Sequence, residues 1–153
     1  MNTLRGFLPA LLLAGAALAA VSIAGFAAAP DLSPVPVLPQ ALTWSGPPDN
    51  PALKTTWIVG AEKQPGPYLV RVKLQRGGRI APHSHPDQRV STVLAGTIYV
   101  GFGSVFDESK VVAIPTGAVY VAPANRPHYV WARDGDAQYQ ESGVGPTGTL
   151  PPN

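Results

Sequence analysis

From Thr55 onward, no window of ten or more residues keeps a helical period without meeting a breaker. Short β-prone runs are instead cut off by Gly, Pro, Asn and Asp. They are TTWIVG (55–60), PYLVRVKLQ (67–75), RIAPH (79–83), RVSTVLAG (89–96), TIYVGFG (97–103), KVVAIP (110–115), AVYVAP (118–123), HYVWAR (128–133) and AQYQESGV (137–144). Within PYLVRVKL, Leu69 and Arg71 alternate with Val70, Val72 and Leu74, the period of a strand with one face buried. Eight or nine short strands in one unit predict an all-β sandwich, jelly roll or barrel over residues 55–142.

The remaining segments are of other kinds. Residues 1–29 hold one cation, Arg5, then an apolar Ala/Leu-rich run and a small-residue zone at Ala27-Ala28-Ala29. That order reads as a signal peptide, and predicts a periplasmic or secreted protein with no membrane contact after cleavage. An uncleaved anchor is the rival, since about 20 apolar residues can span a bilayer. Residues 30–54 are too dense in proline for helix or central strand and read as an extended lead-in, with Leu42 and Trp44 available to dock on the body. Residues 143–153, beginning GVGPTGTLPPN, read as a loop or fraying tail.

Composition removes several functions. No cysteine is present, so disulfides, thiolate metal sites and a lipid-modified cysteine are excluded. The net charge is only +2. The one cationic cluster, Arg71, Lys73, Arg76 and Arg79, lacks interleaved aromatics and reads as a solvated strand face, so no nucleic-acid partner is expected. There is no G-x-S-x-G elbow and no glycine-rich phosphate loop. The three glutamates are scattered and suggest no carboxylate pair for glycoside hydrolysis.

The chemistry concentrates in the three histidines, His83, His85 and His128. In a strand, residues i and i+2 share a face, so His83 and His85 place two imidazoles together. His128, at the head of HYVWAR, is the only other imidazole. Two ligands from one strand and one from another make an open-sided site with positions left for water or substrate.

The spacing around these histidines resembles the two motifs of the cupin superfamily. Gly77, five residues, His83-Ser84-His85, three residues, Arg89, six residues and Gly96 follow the first motif. Gly117, Pro123 and His128 follow the second, with Asn125 where that motif has glycine and Ala132 where it has asparagine. Asparagine also tolerates positive φ. The resemblance implies a double-stranded β-helix, a jelly-roll barrel with a metal in its mouth. It implies His83, His85 and His128 as ligands of a divalent Fe, Mn, Ni, Cu or Zn ion, a small-molecule substrate or ligand, and a homodimer. Dioxygenase chemistry is the activity most often implied, with isomerase or decarboxylase chemistry as alternatives. A barrel that binds metal or a small ligand without turnover, and a barrel with a vestigial site, are the competing readings.

Arg89 departs from the motif, because the family's fourth ligand there is a glutamate. A guanidinium has no acceptor and stays charged. Either the site has three histidines, or Asp87 or Gln88 supplies an oxygen. Arg89 itself is either paired with an acid or turned inward to grip a substrate carboxylate. The aromatics Tyr99, Phe102, Tyr120, Tyr129 and Trp131 read as barrel core, with Tyr99 and Tyr120 expected to reach a ligand at the mouth.

Overall fold

A computed structural model describes residues 35–152; the signal-peptide segment and the start of the lead-in lie outside the described residues. Nine strands are present among them: β1 (Leu53–Val59), β2 (Gly66–Leu74), β3 (Arg79–His83), β4 (Arg89–Ala95), β5 (Thr97–Phe102), β6 (Val112–Pro115), β7 (Val119–Ala122), β8 (His128–Trp131) and β9 (Ala137–Gly145). The only helical elements described are two three-residue 3-10 turns, at Pro39–Ala41 and Glu108–Lys110. No helix among the described residues is long and apolar enough to cross a membrane.

The strands form two antiparallel sheets, ordered β1-β2-β9-β4-β7 and β3-β8-β5-β6. Insertion of β9 between β2 and β4, and of β8 between β3 and β5, makes this a jelly roll of the double-stranded β-helix kind, as the sequence predicts. Alternation decides which side chains enter. In β2, Tyr68, Val70, Val72 and Leu74 are buried; in β9, Ala137, Tyr139 and Glu141; in β4, Arg89, Ser91 and Val93. Of these, Val72, Leu74, Val93, Ala137 and Tyr139 meet Ile98 and Val100 of β5 and Val130 of β8 in one core. Leu74 and Ile98 are almost wholly removed from water, each contributing roughly 1.5–3 kcal/mol.

The core is apolar at one end and polar at the other. Val93 lies opposite Tyr139, but two residues along, Ser91 lies opposite Glu141, and then comes Arg89. The polar end faces the histidines.

The turns keep the motif in register. Gly96 sits at φ +71 between β4 and β5, and a Cβ there would stand 2.3 Å from the Asp136 carbonyl oxygen. Only glycine fits so tight a left-handed turn. Asn125 adopts φ +57, as expected of asparagine at a glycine position. In the lead-in, Ser45 bridges to Thr55 and the Lys73 ammonium lies 4.0 Å from the Trp44 ring centre, so Trp44 docks on the body.

Past β9 the chain is pinned. Thr147 N–H donates to the Glu62 carbonyl, and Leu150 exchanges two backbone hydrogen bonds with Ser84. A periodicity argument could not find these bonds, because the segment contributes no strand-length run.

Candidate metal centre

His83 ends β3 and is the cross-strand partner of His128, the first residue of β8. Antiparallel pairing alone therefore brings two imidazoles together, with ring centres 4.4 Å apart. His85 lies two residues on, and the Ser84–Leu150 bridge keeps the intervening backbone extended. Its ring centre is 4.8 Å from that of His83 and 5.2 Å from that of His128. One nitrogen from each ring lies within 4.8 Å of the others. Among the described residues, these three side chains form the group placed closely enough to hold a metal ion.

The hydrogen bonds show which nitrogens converge. His83 Nδ1 donates to the Ala81 carbonyl at 2.8 Å, His85 Nδ1 to Gly148 at 2.7 Å and His128 Nδ1 to Arg126 at 3.2 Å. A carbonyl oxygen only accepts, so each Nδ1 carries the proton and each Nε2 keeps its lone pair. His85 Nε2 and His128 Nε2 are buried without a hydrogen-bond partner. Such orphaned acceptors carry a desolvation penalty, which an ion at their meeting point would relieve. Burial lowers the pKa of all three rings. For His85, burial and then the Arg89 charge bring it down to about 3. The cluster is therefore neutral at physiological pH, the state in which imidazole ligates metal. The donor set fits a divalent transition metal held by Nε2 atoms.

Arg89 points into the barrel, as parity with the histidines predicts, and is only 8% exposed. It is already paired there. Nη1 donates to Glu141 Oε2 at 2.7 Å and Nη2 to Thr147 Oγ1 at 2.9 Å. Arg89 thus faces inward, and its main carboxylate partner within the protein is Glu141.

Asp87 and Gln88 do not join the cluster. Asp87 accepts from the Tyr68 hydroxyl at 2.5 Å and from the Thr147 hydroxyl, with Arg89 Nε 4.0 Å away. Its carboxylate is thus engaged by Tyr68 and Thr147 beside Arg89. Gln88 is exposed, one residue out of phase with the inward Arg89. Of the two tyrosines, Tyr99 bonds outward, donating to Asp134 and accepting from Arg133 Nη2 at 2.8 Å. Tyr120 is buried beside Ser91 and Glu141; desolvation and then the Glu141 charge raise its pKa, and its hydroxyl has no hydrogen bond of good geometry.

Sequence reasoning misses Glu141, Thr147 and Gly148. Glu141 lines the histidine cavity, with Oε2 on Arg89 and Oε1 accepting only a 3.3 Å bond from Ser91. The signal was the alternation Ala137, Tyr139, Glu141 in β9, which puts an acid on the core face. The cavity measures about 280 Å3. Leu53, Val72, Ile80 and Val130 form apolar walls, and His83, His85, Arg89 and Glu141 its polar end.

Comparison with known proteins agrees with this geometry. Residues 70–139 match the cupin domain family. Germin-like protein 5-1 of Oryza sativa subsp. japonica is 35% identical over 68 residues, which cover 42% of this chain and 30% of that protein. The polyketide cyclase RemF of Streptomyces resistomycificus superposes with a TM-score of 0.64 at 12% identity, covering 76% of this chain and 84% of that one. A salicylate 1,2-dioxygenase from Pseudoaminobacter salicylatoxidans superposes with a TM-score of 0.54 at 16% identity, covering 65% and 29%. The barrel has the cupin fold.

Proposed function

We propose that the chain is an exported, metal-dependent small-molecule enzyme of dioxygenase-like type. His83, His85 and His128 hold a divalent Fe, Mn, Ni, Cu or Zn ion through Nε2. The observation that carries this reading is the set of three Nδ1-to-carbonyl hydrogen bonds, which leaves three neutral Nε2 atoms facing one another. Export rests on the pattern of residues 1–29.

When bound, such an ion supplies Lewis-acid polarisation of a substrate oxygen and, if redox-active, access to dioxygen chemistry. The chain's own residues do the rest. Glu141 takes a proton from a substrate O–H or acidic C–H through Oε1, its less engaged oxygen. Arg89 orients that carboxylate by holding Oε2. The apolar walls exclude water and orient the substrate. At about 280 Å3 the cavity sits at the small end of ligand pockets. Because Arg89 is neutralised by Glu141, the substrate is one that donates a proton, not one recognised as a carboxylate.

The test is oxygen uptake by metal-loaded protein over a panel of phenols, thiols and hydroxy acids. Uptake above a His128→Ala control supports the enzyme. Stoichiometric metal without turnover of any panel member favours the second reading, a metal- or ligand-binding module. Arginine at the position of the family's fourth ligand is the observation on that side.

A further inference from the structure

We infer that residues Thr147–Leu150 are a structural part of the metal site, fixing His85 in place and in its ligating tautomer. This rests on the reading of the three histidines as metal ligands. The Gly148 carbonyl is the partner of His85 Nδ1 at 2.7 Å, so it holds the proton on Nδ1 and turns Nε2 toward the other rings. On one flank, Leu150 exchanges hydrogen bonds of 2.9 and 3.0 Å with Ser84, the residue before His85. On the other, Thr147 N–H is anchored on Glu62 at 2.8 Å, while its hydroxyl accepts from Arg89 and donates to Asp87. Thr147 and Gly148 are buried, and Thr149 lines the cavity.

His83 and His128 bond to carbonyls two residues away in their own segments, Ala81 and Arg126. His85 alone depends on a carbonyl 63 residues distant. Its orientation is therefore conditional on this strap, and loss of such outer partners typically weakens a metal site by about 10- to 100-fold. Because coupling is reciprocal, metal must also stabilise the strap. Gly148 and Thr147 are positioning residues; neither is placed at the reacting atoms.

The experiment compares Co(II) affinity of the full chain, by titration of its visible absorption, with that of a chain ending at Gly145. It also measures amide hydrogen exchange at Ser84, Thr147 and Leu150 in the full chain with and without Co(II). The expected result is a 10- to 100-fold weaker affinity in the shortened chain, and slower exchange of those amides when Co(II) is bound. Equal affinity in the two chains, or exchange indifferent to Co(II), overturns the inference while leaving the three-histidine site standing. If the shortened chain does not fold, the exchange measurement decides. No Co(II) uptake by the full chain would overturn the metal-site reading itself.

Discussion

The Arg89 guanidinium meets the Glu141 carboxylate at 2.7 Å inside the barrel, with the two side chains 9% and 7% exposed. The residues come from neighbouring strands, β4 and β9, 52 positions apart in the chain. Breaking a buried pair by removing one partner strands the other charge, at roughly 3–5 kcal/mol. Arg89→Met is therefore expected to destabilise by about that amount in urea unfolding. The double variant Arg89→Met, Glu141→Leu recovers part of the loss, since of the two acids beside Arg89 only Asp87, still held by the Tyr68 and Thr147 hydroxyls, is left. A single variant as stable as the wild type would show that the pair is not formed in solution.

Glu141→Gln separates chemistry from metal binding. The amide keeps the size of the side chain but cannot take a proton. With a substrate found by oxygen uptake, kcat is expected to fall by about 10²- to 10⁴-fold, with metal content unchanged. Unchanged kcat would remove Glu141 from the mechanism.

Acid lowers the stability of the metal-free protein through the same histidines. Their folded pKa values lie below the ordinary 6.5, mainly because burial disfavours the charged ring. Above about pH 6.5 neither the folded nor the unfolded chain protonates them, and they contribute no pH dependence. As pH falls below 6.5 the unfolded chain takes up protons that the folded chain resists, so stability drops, and for His85 the drop continues toward pH 3. Thermal unfolding from pH 7 to 4 should show Tm falling less steeply in His85→Asn than in the wild type. Parallel slopes would contradict the burial of neutral His85.

Gly101 tests the packing beneath the site. A Cβ at this position of β5 would lie 2.2 Å from the Tyr129 ring, which is fully buried next to His128. Gly101→Ala is expected to cost about 1–3 kcal/mol by overpacking. Adding Tyr129→Leu, which frees the space, should return part of it. Unfolding in urea measures both, and a neutral Gly101→Ala would show that β5 and β8 yield more easily than their pairing implies.

The parts of this architecture readable in the sequence are those governed by short periods and fixed spacings. Alternation in PYLVRVKL places Val70, Val72 and Leu74 on the core face, and the Gly77-to-Gly96 interval brackets His83 and His85. The partners of the inward polar residues were not readable. Nothing local to Arg89 says that Glu141 will lie opposite, because the pairing depends on β9 inserting between β2 and β4. Gln88 and Arg89 are separated only by strand phase, and Pro86 hides where that phase begins. Gly148 carries no side chain to signal its role; its carbonyl matters only because the chain returns over His85.

The central claim is that three neutral imidazoles form one metal site, and metal content tests it most directly. Protein prepared without a metal-binding tag, as wild type, His83→Ala, His85→Ala and His128→Ala, is loaded with a divalent transition metal, desalted and assayed by elemental analysis. The account predicts about one ion per wild-type chain and strongly reduced occupancy in each variant. Equal metal content in wild type and all three variants, whether negligible or stoichiometric, would contradict it.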